Sequence, residues 1–437
     1  MDIDLTTYED LSVFNRGDDY SIFQRLDFTR TLGGKERLLR NFNEPFSDLR
    51  RITETQKVLS IILEQIDSWP QTISNGTIMV MERFYETALD EIPDTNHLSA
   101  LTYKIFHGPD FSLLRYSLDH FADFVRGMNQ IIAMFDRTDC PAMLHSVLQR
   151  AASLLNQEYL HSLNKSDPRK KFSPIQTVYF GYNIRNRFKS AAEELITIYG
   201  RLDAWYSMAM ATKTYGLCFP RFLNQDMPHI DAKSLYHILL PEPVSYDVQL
   251  NQEMNFIFLT GANMAGKSTF IKAIGTAVFL AHLGMGVPAK EMELSVFDGI
   301  LSNINVVDNI AKGESYFYNE VQRIKNTIIK INDSHKWLVL IDELFKGTNV
   351  QDAMKCSSTV IKGLIKIKNS LFILSTHLYE IGEELKQYPN ICFKYFETSV
   401  HNDQLDFSFQ LKSGISNDRL GYLILKREKV VELLDKL

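Results

Sequence analysis

The segment Thr260-Gly261-Ala262-Asn263-Met264-Ala265-Gly266-Lys267-Ser268-Thr269 restricts the possible folds of this chain more than any other stretch. Its pattern is a glycine, four residues, then Gly-Lys-Ser, and it makes chemical sense only between a strand and a helix. The flanking residues supply both. Asn255-Phe256-Ile257-Phe258-Leu259 is a short apolar run of the kind that forms a buried parallel strand, and Phe270-Ile271-Lys272-Ala273-Ile274 begins a helix. A glycine-rich turn in that position gathers backbone N–H groups at a helix N-terminus, where the dipole favours an anion. The spacing therefore predicts a nucleoside triphosphate site. Gly261 to Thr269 would cradle the phosphates, Lys267 would reach the β and γ phosphates, and the Ser268 hydroxyl would complete the shell of a Mg²⁺ ion.

Two further strands are expected to end beside that loop. Trp337-Leu338-Val339-Leu340-Ile341 runs directly into Asp342 and Glu343. Asp342 is expected to hold the Mg²⁺ shell and Glu343 to polarise the water that attacks the γ-phosphate. Leu371-Phe372-Ile373-Leu374-Ser375-Thr376 ends at His377, a candidate γ-phosphate sensor. Parallel strands with their C-terminal ends at one edge form the usual ligand site of an open α/β sheet. Between the two halves lie Asp308 to Phe317, with a Gly313-x-Ser315 turn, and a helical run from Tyr318 to about Ile331. The polar turn Lys346 to Asp352 follows the acids, with Asp352 available as a helix cap. ATPases of the ABC class are built from these parts in this order. That similarity implies a dimer in which Ser315 of one subunit completes the nucleotide site of the other.

A closer resemblance is carried by Thr260 to Thr269, Val287-Pro288-Ala289, Asp308 to Glu320, Asp342 to Thr348 and Thr376-His377. These segments resemble the ATPase domain of the MutS family of DNA mismatch-repair proteins, and Asn263-Met264 inside the loop is the discriminating detail. Glu242-Pro243 and the residues Val244 to Leu250 resemble the segment that packs against the adenine, with Val244 and Tyr246 both candidates for the contact. Leu5-Thr6-Thr7, Ser21 to Thr31, Gly34 to Arg40, Glu44 to Asp48 and Arg201 to Ala209 resemble the family's core, or lever, domain. The resemblance implies a multidomain α plus α/β chain: a helical lever domain over 1–235, its clamp reduced or absent, then an ABC-type P-loop ATPase domain over 236–437. Leu411 to Leu437 resembles a shortened form of the family's terminal dimerisation helices.

What the resemblance implies about function is an ATP-dependent, DNA-binding switch in mismatch repair or recombination control. The implied cofactors are ATP and Mg²⁺. The implied partners are double-stranded or branched DNA, a second copy of the chain and a MutL-like protein. By this resemblance the chain is expected to begin at the lever, without the family's mismatch-reading and connector domains. Phe42-Asn43-Glu44 and Phe84-Tyr85-Glu86 have the spacing of the family's mismatch wedge, yet both fall in helical sequence and read as structural. Mismatch recognition itself is therefore not expected. The alternative is an ATPase dimer that scaffolds other proteins without touching DNA.

Composition sets the outer limits. A chain of 437 residues with 45% apolar residues is globular and large enough for two or three domains. A net charge of −6 argues against a general coat for nucleic acid, although a local basic patch would suffice for phosphate contacts. Arg169-Lys170-Lys171, Arg185, Arg187 and Lys189, interleaved with Phe172, Tyr179, Phe180 and Tyr182, form either such a patch or a solvated helix face. Leu113 to Phe135 follows three- and four-residue apolar steps, as one amphipathic helix does. The four cysteines lack metal-ligand spacing and suggest reduced thiols. No apolar run is long enough to span a bilayer, and no signal peptide is visible, so a cytoplasmic protein is expected.

Overall fold

The computed structural model describes residues 1–14, 20–94, 97–305, 316–401, 404–416 and 433. The helices in chain order are α1 (Leu5–Asp10), α2 (Ile22–Leu26), α3 (Leu32–Asn43), α4 (Leu49–Glu64), α5 (Asn75–Glu86), α6 (His97–Phe106), α7 (Gly108–Met134) and α8 (Ala142–Leu155). They continue with α9 (Glu158–Asn164), α10 (Pro174–Arg187), α11 (Lys189–Tyr215), α12 (Lys267–His282), α13 (Tyr316–Ile331), α14 (Val350–Leu364) and α15 (Glu380–Leu385). The strands are β1 (Asp2–Ile3), β2 (Arg221–Leu223), β3 (Ile230–Leu235), β4 (Tyr246–Leu250), β5 (Phe256–Thr260) and β6 (Glu291–Ser295). Then follow β7 (Gly299–Asn303), β8 (Trp337–Asp342), β9 (Ser370–Ser375), β10 (Ile391–His401) and β11 (Gln404–Ser413).

Packing divides these elements into two units. One comprises Met1–Arg25, Glu44–Thr53 and Thr214–Leu437, and the other Leu26–Asn43 and Glu54–Lys213. The sequence predicts a single boundary at 235/236. The observed division differs because the first residues of the chain build the edge of the sheet, and β2 and β3 precede the expected boundary.

The mixed unit contains a seven-stranded sheet in the order β1-β7-β8-β9-β5-β10-β11. Every pairing from β1 to β10 is parallel, and β10 with β11 forms an antiparallel hairpin. Strands β5, β8 and β9 are buried along their whole length, as the central strands of a parallel sheet covered on both faces must be. Alternate residues serve opposite faces. Phe256, Phe258, Val339, Ile341, Phe372 and Leu374 share a core with Ile324 and Ile331 of α13, Ile361 and Leu364 of α14, and Ile381 and Leu385 of α15. On the other face α12 lies so close that a Cβ on Gly275 would come within 2.6 Å of Leu340 Cδ1 and 2.7 Å of Leu11 Cδ2. A smaller sheet, in the order β2-β6-β3-β4, belongs to the same unit.

The N-terminal residues are bound to this sheet by buried polar contacts. Asp10 accepts hydrogen bonds from Ser302 Oγ at 2.5 Å, the Ile304 amide at 3.0 Å and the Asn305 amide at 3.0 Å, at the end of β7. Arg323 of α13 donates to Asn303 Oδ1, Thr6 Oγ1 and the Ser302 carbonyl, and pairs with Asp4 at 3.2 Å. Helix α12 ends in His282, which is fully buried. Its Nδ1 donates to the Phe46 carbonyl at 2.7 Å and its Nε2 accepts from the Phe297 amide at 3.2 Å, and burial pushes its pKa down to about 4.

The helical unit is built on long apolar stripes. The expected amphipathic helix is α7, which buries Phe111, Leu114, Leu118, Phe121, Phe124, Val125, Met128 and Ile131. Phe42 and Phe84 are core residues, in keeping with a structural reading of both Phe-x-Glu triplets. Phe172 and Phe180 are buried as well, with ring centroids 5.5 Å apart. Arg185 donates to the carbonyls of Phe84 and Thr87, so its guanidinium closes the end of α5. Among the described residues, no helix is long and apolar enough to cross a membrane.

One buried carboxylate organises the start of α3. Asp203 of α11 accepts from the amides of Arg30 and Thr31 and from Thr31 Oγ1 at 2.7 Å. Burial raises its pKa, and the donated hydrogen bonds oppose that rise. Gly34 is required for the approach, since a Cβ there would lie 2.0 Å from Asp203 Oδ2. Gly34→Ala is expected to destabilise the protein by about 1–3 kcal/mol, the usual cost of overpacking. Urea denaturation checks this, and adding Asp203→Ser should recover part of the loss because the two sites are in contact.

Candidate functional site

The glycine-rich segment leaves β5 and enters α12 through a turn that uses unusual backbone conformations. Gly261 has φ +139°, Met264 φ +67° and Gly266, the residue before the helix, φ +105°. A Cβ on Gly261 would lie 3.3 Å from Phe396 Cβ and from the Phe396 carbonyl oxygen, so glycine is needed there for space as well as for conformation. The turn places Lys267 at the start of α12, where it is 5% exposed. Its Nζ donates to the carbonyls of Gly261 at 2.9 Å and Ala262 at 3.0 Å. Burial pulls its pKa down to about 8, against the attraction of Glu343 and Asp342.

The ends of β8 and β9 complete the site. Asp342 pairs in register with Ser375. Its carboxylate accepts from Ser268 Oγ at 2.5 Å on one oxygen and from Ser375 Oγ on the other. Glu343 sits just beyond the strand with φ +61°, and Phe345 has φ +60°. Such non-glycine conformations cost on the order of 1–3 kcal/mol each and persist where neighbours fix them. Here the Glu343 amide donates to the Ser375 carbonyl at 3.0 Å. Three and four residues on, the amides of Lys346 and Gly347 donate to the buried Glu320 carboxylate of α13 at 3.1 and 3.2 Å.

The Glu343 side chain is held at both oxygens, by His377 Nε2 at 2.6 Å and by Lys346 Nζ at 3.0 Å. Burial alone would raise its pKa. The hydrogen bond and charge of His377, with those of Lys346, outweigh burial and bring it down to about 2. Lys267 Nζ lies 3.3 Å from the same His377 Nε2. A nitrogen that donates its proton to Glu343 cannot also accept one from Lys267. The Lys267 ammonium is therefore bonded to the two carbonyls and only adjacent to the imidazole.

A pocket of about 380 Å³ opens over these groups. Asn263, Met264, Gly266, Lys267, Ser268, Thr269 and Glu343 line it, together with Leu240, Glu242, Val244, Tyr246 and Phe409. The Tyr246 ring is buried edge-on against Phe270 and Phe396, at centroid distances of 5.3 and 5.6 Å. Val244, Phe409, Leu240 and Met264 are its exposed apolar side chains, Met264 the most so at 68%. Ala262 and Ala265 are buried within the loop.

The comparison with known proteins is consistent with this architecture. The family model for MutS domain V matches residues 257–432. That segment is similar to MutS domain V. Relatives extend the match. The DNA mismatch repair protein MutS of Petrotoga mobilis (strain DSM 10674 / SJ95) is 28% identical over 244 residues, which is 55% of this chain and 30% of the relative. The DNA mismatch repair protein MutS of Pseudothermotoga lettingae (strain ATCC BAA-301 / DSM 14385 / NBRC 107922 / TMO) is 29% identical over 234 residues, 52% of this chain and 28% of the relative. The chain thus spans about three-tenths of the length of these MutS proteins.

Lys267, Ser268, Asp342, Glu343 and His377 come together, and Asn263, Met264 and Gly266 to Thr269 form one wall of the pocket. Ser315 lies outside the described residues, as do Asp308 to Glu314 and most of the expected terminal helices. Leu411 to Ser413, expected to begin those helices, belong to strand β11. Asn349 rather than Asp352 caps α14: its Oδ1 accepts from the Asp352 amide at 3.0 Å. Sequence reasoning did not single out Ser375, Glu320, Leu240 or Phe409. Ser375 carried a signal, as the last hydroxyl of a strand expected beside Asp342. Phe409 carried none, because only the β10–β11 hairpin brings it to the loop.

The Glu343 ion pairs set an acid limit on stability. A carboxylate whose folded pKa lies below its unfolded value of 4.5 contributes stability that is complete above that value. The contribution is lost as pH falls through the folded value of about 2. Melting curves between about pH 6 and pH 2 should therefore fall more steeply for the wild type than for Glu343→Gln, the difference opening below about pH 5. Parallel curves would show that these pairs add nothing to the fold.

Proposed function

We propose that this chain is an ATP-hydrolysing, DNA-binding switch of the mismatch-repair or recombination-control type, built on an ABC-type P-loop ATPase domain. The observation that carries this reading is the contact cluster of Lys267, Ser268, Asp342, Glu343 and His377, of which Lys267, Ser268 and Glu343 line one pocket together with apolar side chains. The residues fit a triphosphate. Lys267 is a buried cation with no carboxylate within ion-pair distance among the described residues, an arrangement that phosphate oxygens would relieve. The touching Ser268 hydroxyl and Asp342 carboxylate are hard oxygen donors and would hold Mg²⁺, which when bound neutralises charge on the phosphates.

In this reading Gly261 to Thr269 bind the phosphate chain, with Val244, Tyr246 and Phe409 on the side of the base. Glu343 orients and polarises the attacking water once Lys346 releases its second oxygen. His377, beside both Lys267 and Glu343, responds to the γ-phosphate. Ser315 reaches the nucleotide of a second copy, which makes the active unit a homodimer. The helical unit grips double-stranded or branched DNA and passes the nucleotide state on, with a MutL-like protein as a further partner and the cytoplasm as the compartment. Because Arg185 is committed to backbone carbonyls, the expected basic face is reduced. That favours a second reading in which the ATPase dimer scaffolds proteins without touching DNA.

Lys267→Ala is expected to abolish tight ATP binding, and Glu343→Gln to bind ATP while losing hydrolysis by at least about a hundredfold, the usual weight of a catalytic base. Equilibrium binding and phosphate release measure the two. Hydrolysis by Glu343→Gln at the wild-type rate would remove Glu343 from the reaction. Phosphates beside Lys267 should also restore its proton affinity, so ATP binding above about pH 8 should take up a proton, seen by calorimetry in buffers of different ionisation enthalpy. Duplex and junction DNA, titrated with and without ATP at several salt concentrations, separate the two readings: steep salt dependence supports the DNA switch and no binding supports the scaffold.

A further inference from the structure

Arg37 of α3 and Arg201 of α11 are drawn together in the helical unit by a glycine contact. A Cβ on Gly200 would lie 3.1 Å from the carbonyl carbon and oxygen of Gly33. Arg37 is one helical turn beyond that contact and Arg201 is the residue next to it. The Arg201 guanidinium lies over the Trp205 ring, 4.6 Å from its centroid, so one of its faces is covered. The Nε atoms of both arginines are buried, with no hydrogen-bond acceptor among the described residues. Burial lowers the proton affinity of Arg201, and the next influence on it is the positive charge of Arg37, with no acidic group contributing.

Two guanidinium groups in partly buried surroundings repel each other, and each presents rigid N–H donors that need acceptors. We propose that Arg37 and Arg201 form a binding site for a dianionic phosphate group, either inorganic phosphate or the terminal phosphate of a nucleotide or nucleic-acid strand. The charge balance selects this chemistry. A terminal phosphate carries about −1.5 to −2 charges at neutral pH and three acceptor oxygens, enough for both forks. A carboxylate or an internal phosphodiester carries one charge and leaves one arginine uncompensated. The site shares no residue with the nucleotide pocket and does not rest on the function proposed above.

The test is thermal melting of the full chain in chloride and in inorganic phosphate at matched ionic strength. Phosphate should raise the Tm of the wild type, and Arg37→Gln and Arg201→Gln should each lose most of that increment. Any phosphate held at Lys267 is common to all three proteins and cancels in the comparison. Arg201→Glu places a carboxylate beside Arg37, so it should melt above Arg201→Gln in chloride and respond least to phosphate. A 5′-phosphorylated oligonucleotide should bind the wild type about tenfold more tightly than its unphosphorylated twin, the scale of one charge-assisted hydrogen bond. Loss of that preference in Arg201→Glu assigns the strand terminus as the source, whereas a phosphate response without the preference assigns the free ion. An equal phosphate response in all variants would mean an adventitious ion only and overturn the site. Arg201→Glu melting below Arg201→Gln, or an oligoglutamate peptide binding where phosphate does not, would overturn it equally.

Discussion

The Asp342 carboxylate is the contact on which the candidate site depends. Its two oxygens receive the hydroxyls of Ser268 and Ser375, so one side chain fixes the end of β8 against the start of α12 and the end of β9. The hydroxyl at Ser268 follows from the loop pattern, and that at Ser375 from the parallel register of β8 and β9. With three elements fixed at one point, the chain can hold Glu343 and Phe345 in left-handed conformations directly afterwards. Glu320 takes up the next two exposed amides, and α13 thereby becomes part of the support of the turn.

The sheet imposes its own condition on the rest of the chain. A parallel sheet buried on both faces needs cover at its edge, and here the first ten residues provide it. Asp10 takes the amides released where β7 ends, and Arg323 ties α13 to Thr6, Asp4 and Asn303. The buried His282 bridges Phe46 to Phe297 with one nitrogen donating and one accepting, which is possible only for the neutral ring. Segments that are far apart in the chain thus share one compact unit through a few satisfied polar groups.

Glycine sets how closely the helices of the other unit approach. Gly34 admits Asp203 to the start of α3, and Gly200 admits the backbone of Gly33. The same approach that lets Asp203 satisfy the amides of Arg30 and Thr31 brings two arginines together with no carboxylate paired to them among the described residues. Close packing and an uncompensated charge are therefore consequences of one local geometry.

The amino-acid sequence alone determined the parts whose chemistry is local. The loop from Gly261 to Thr269, the apolar strands before Asp342 and His377, and the amphipathic α7 were legible because neighbouring residues in one element carry the whole signal. The resemblance to MutS was legible for the same reason, through short motifs. Tertiary structure decided what depends on strand order and long-range polar contacts. It put residues 1–10 at the sheet edge rather than in a helical domain, made Asn349 the cap of α14, and turned Leu411 to Ser413 into strand. It also brought Phe409 and Leu240 to the pocket and committed Arg185 to backbone carbonyls. Each of these depends on partners tens to hundreds of residues away, and a periodic pattern or a local motif holds no record of them.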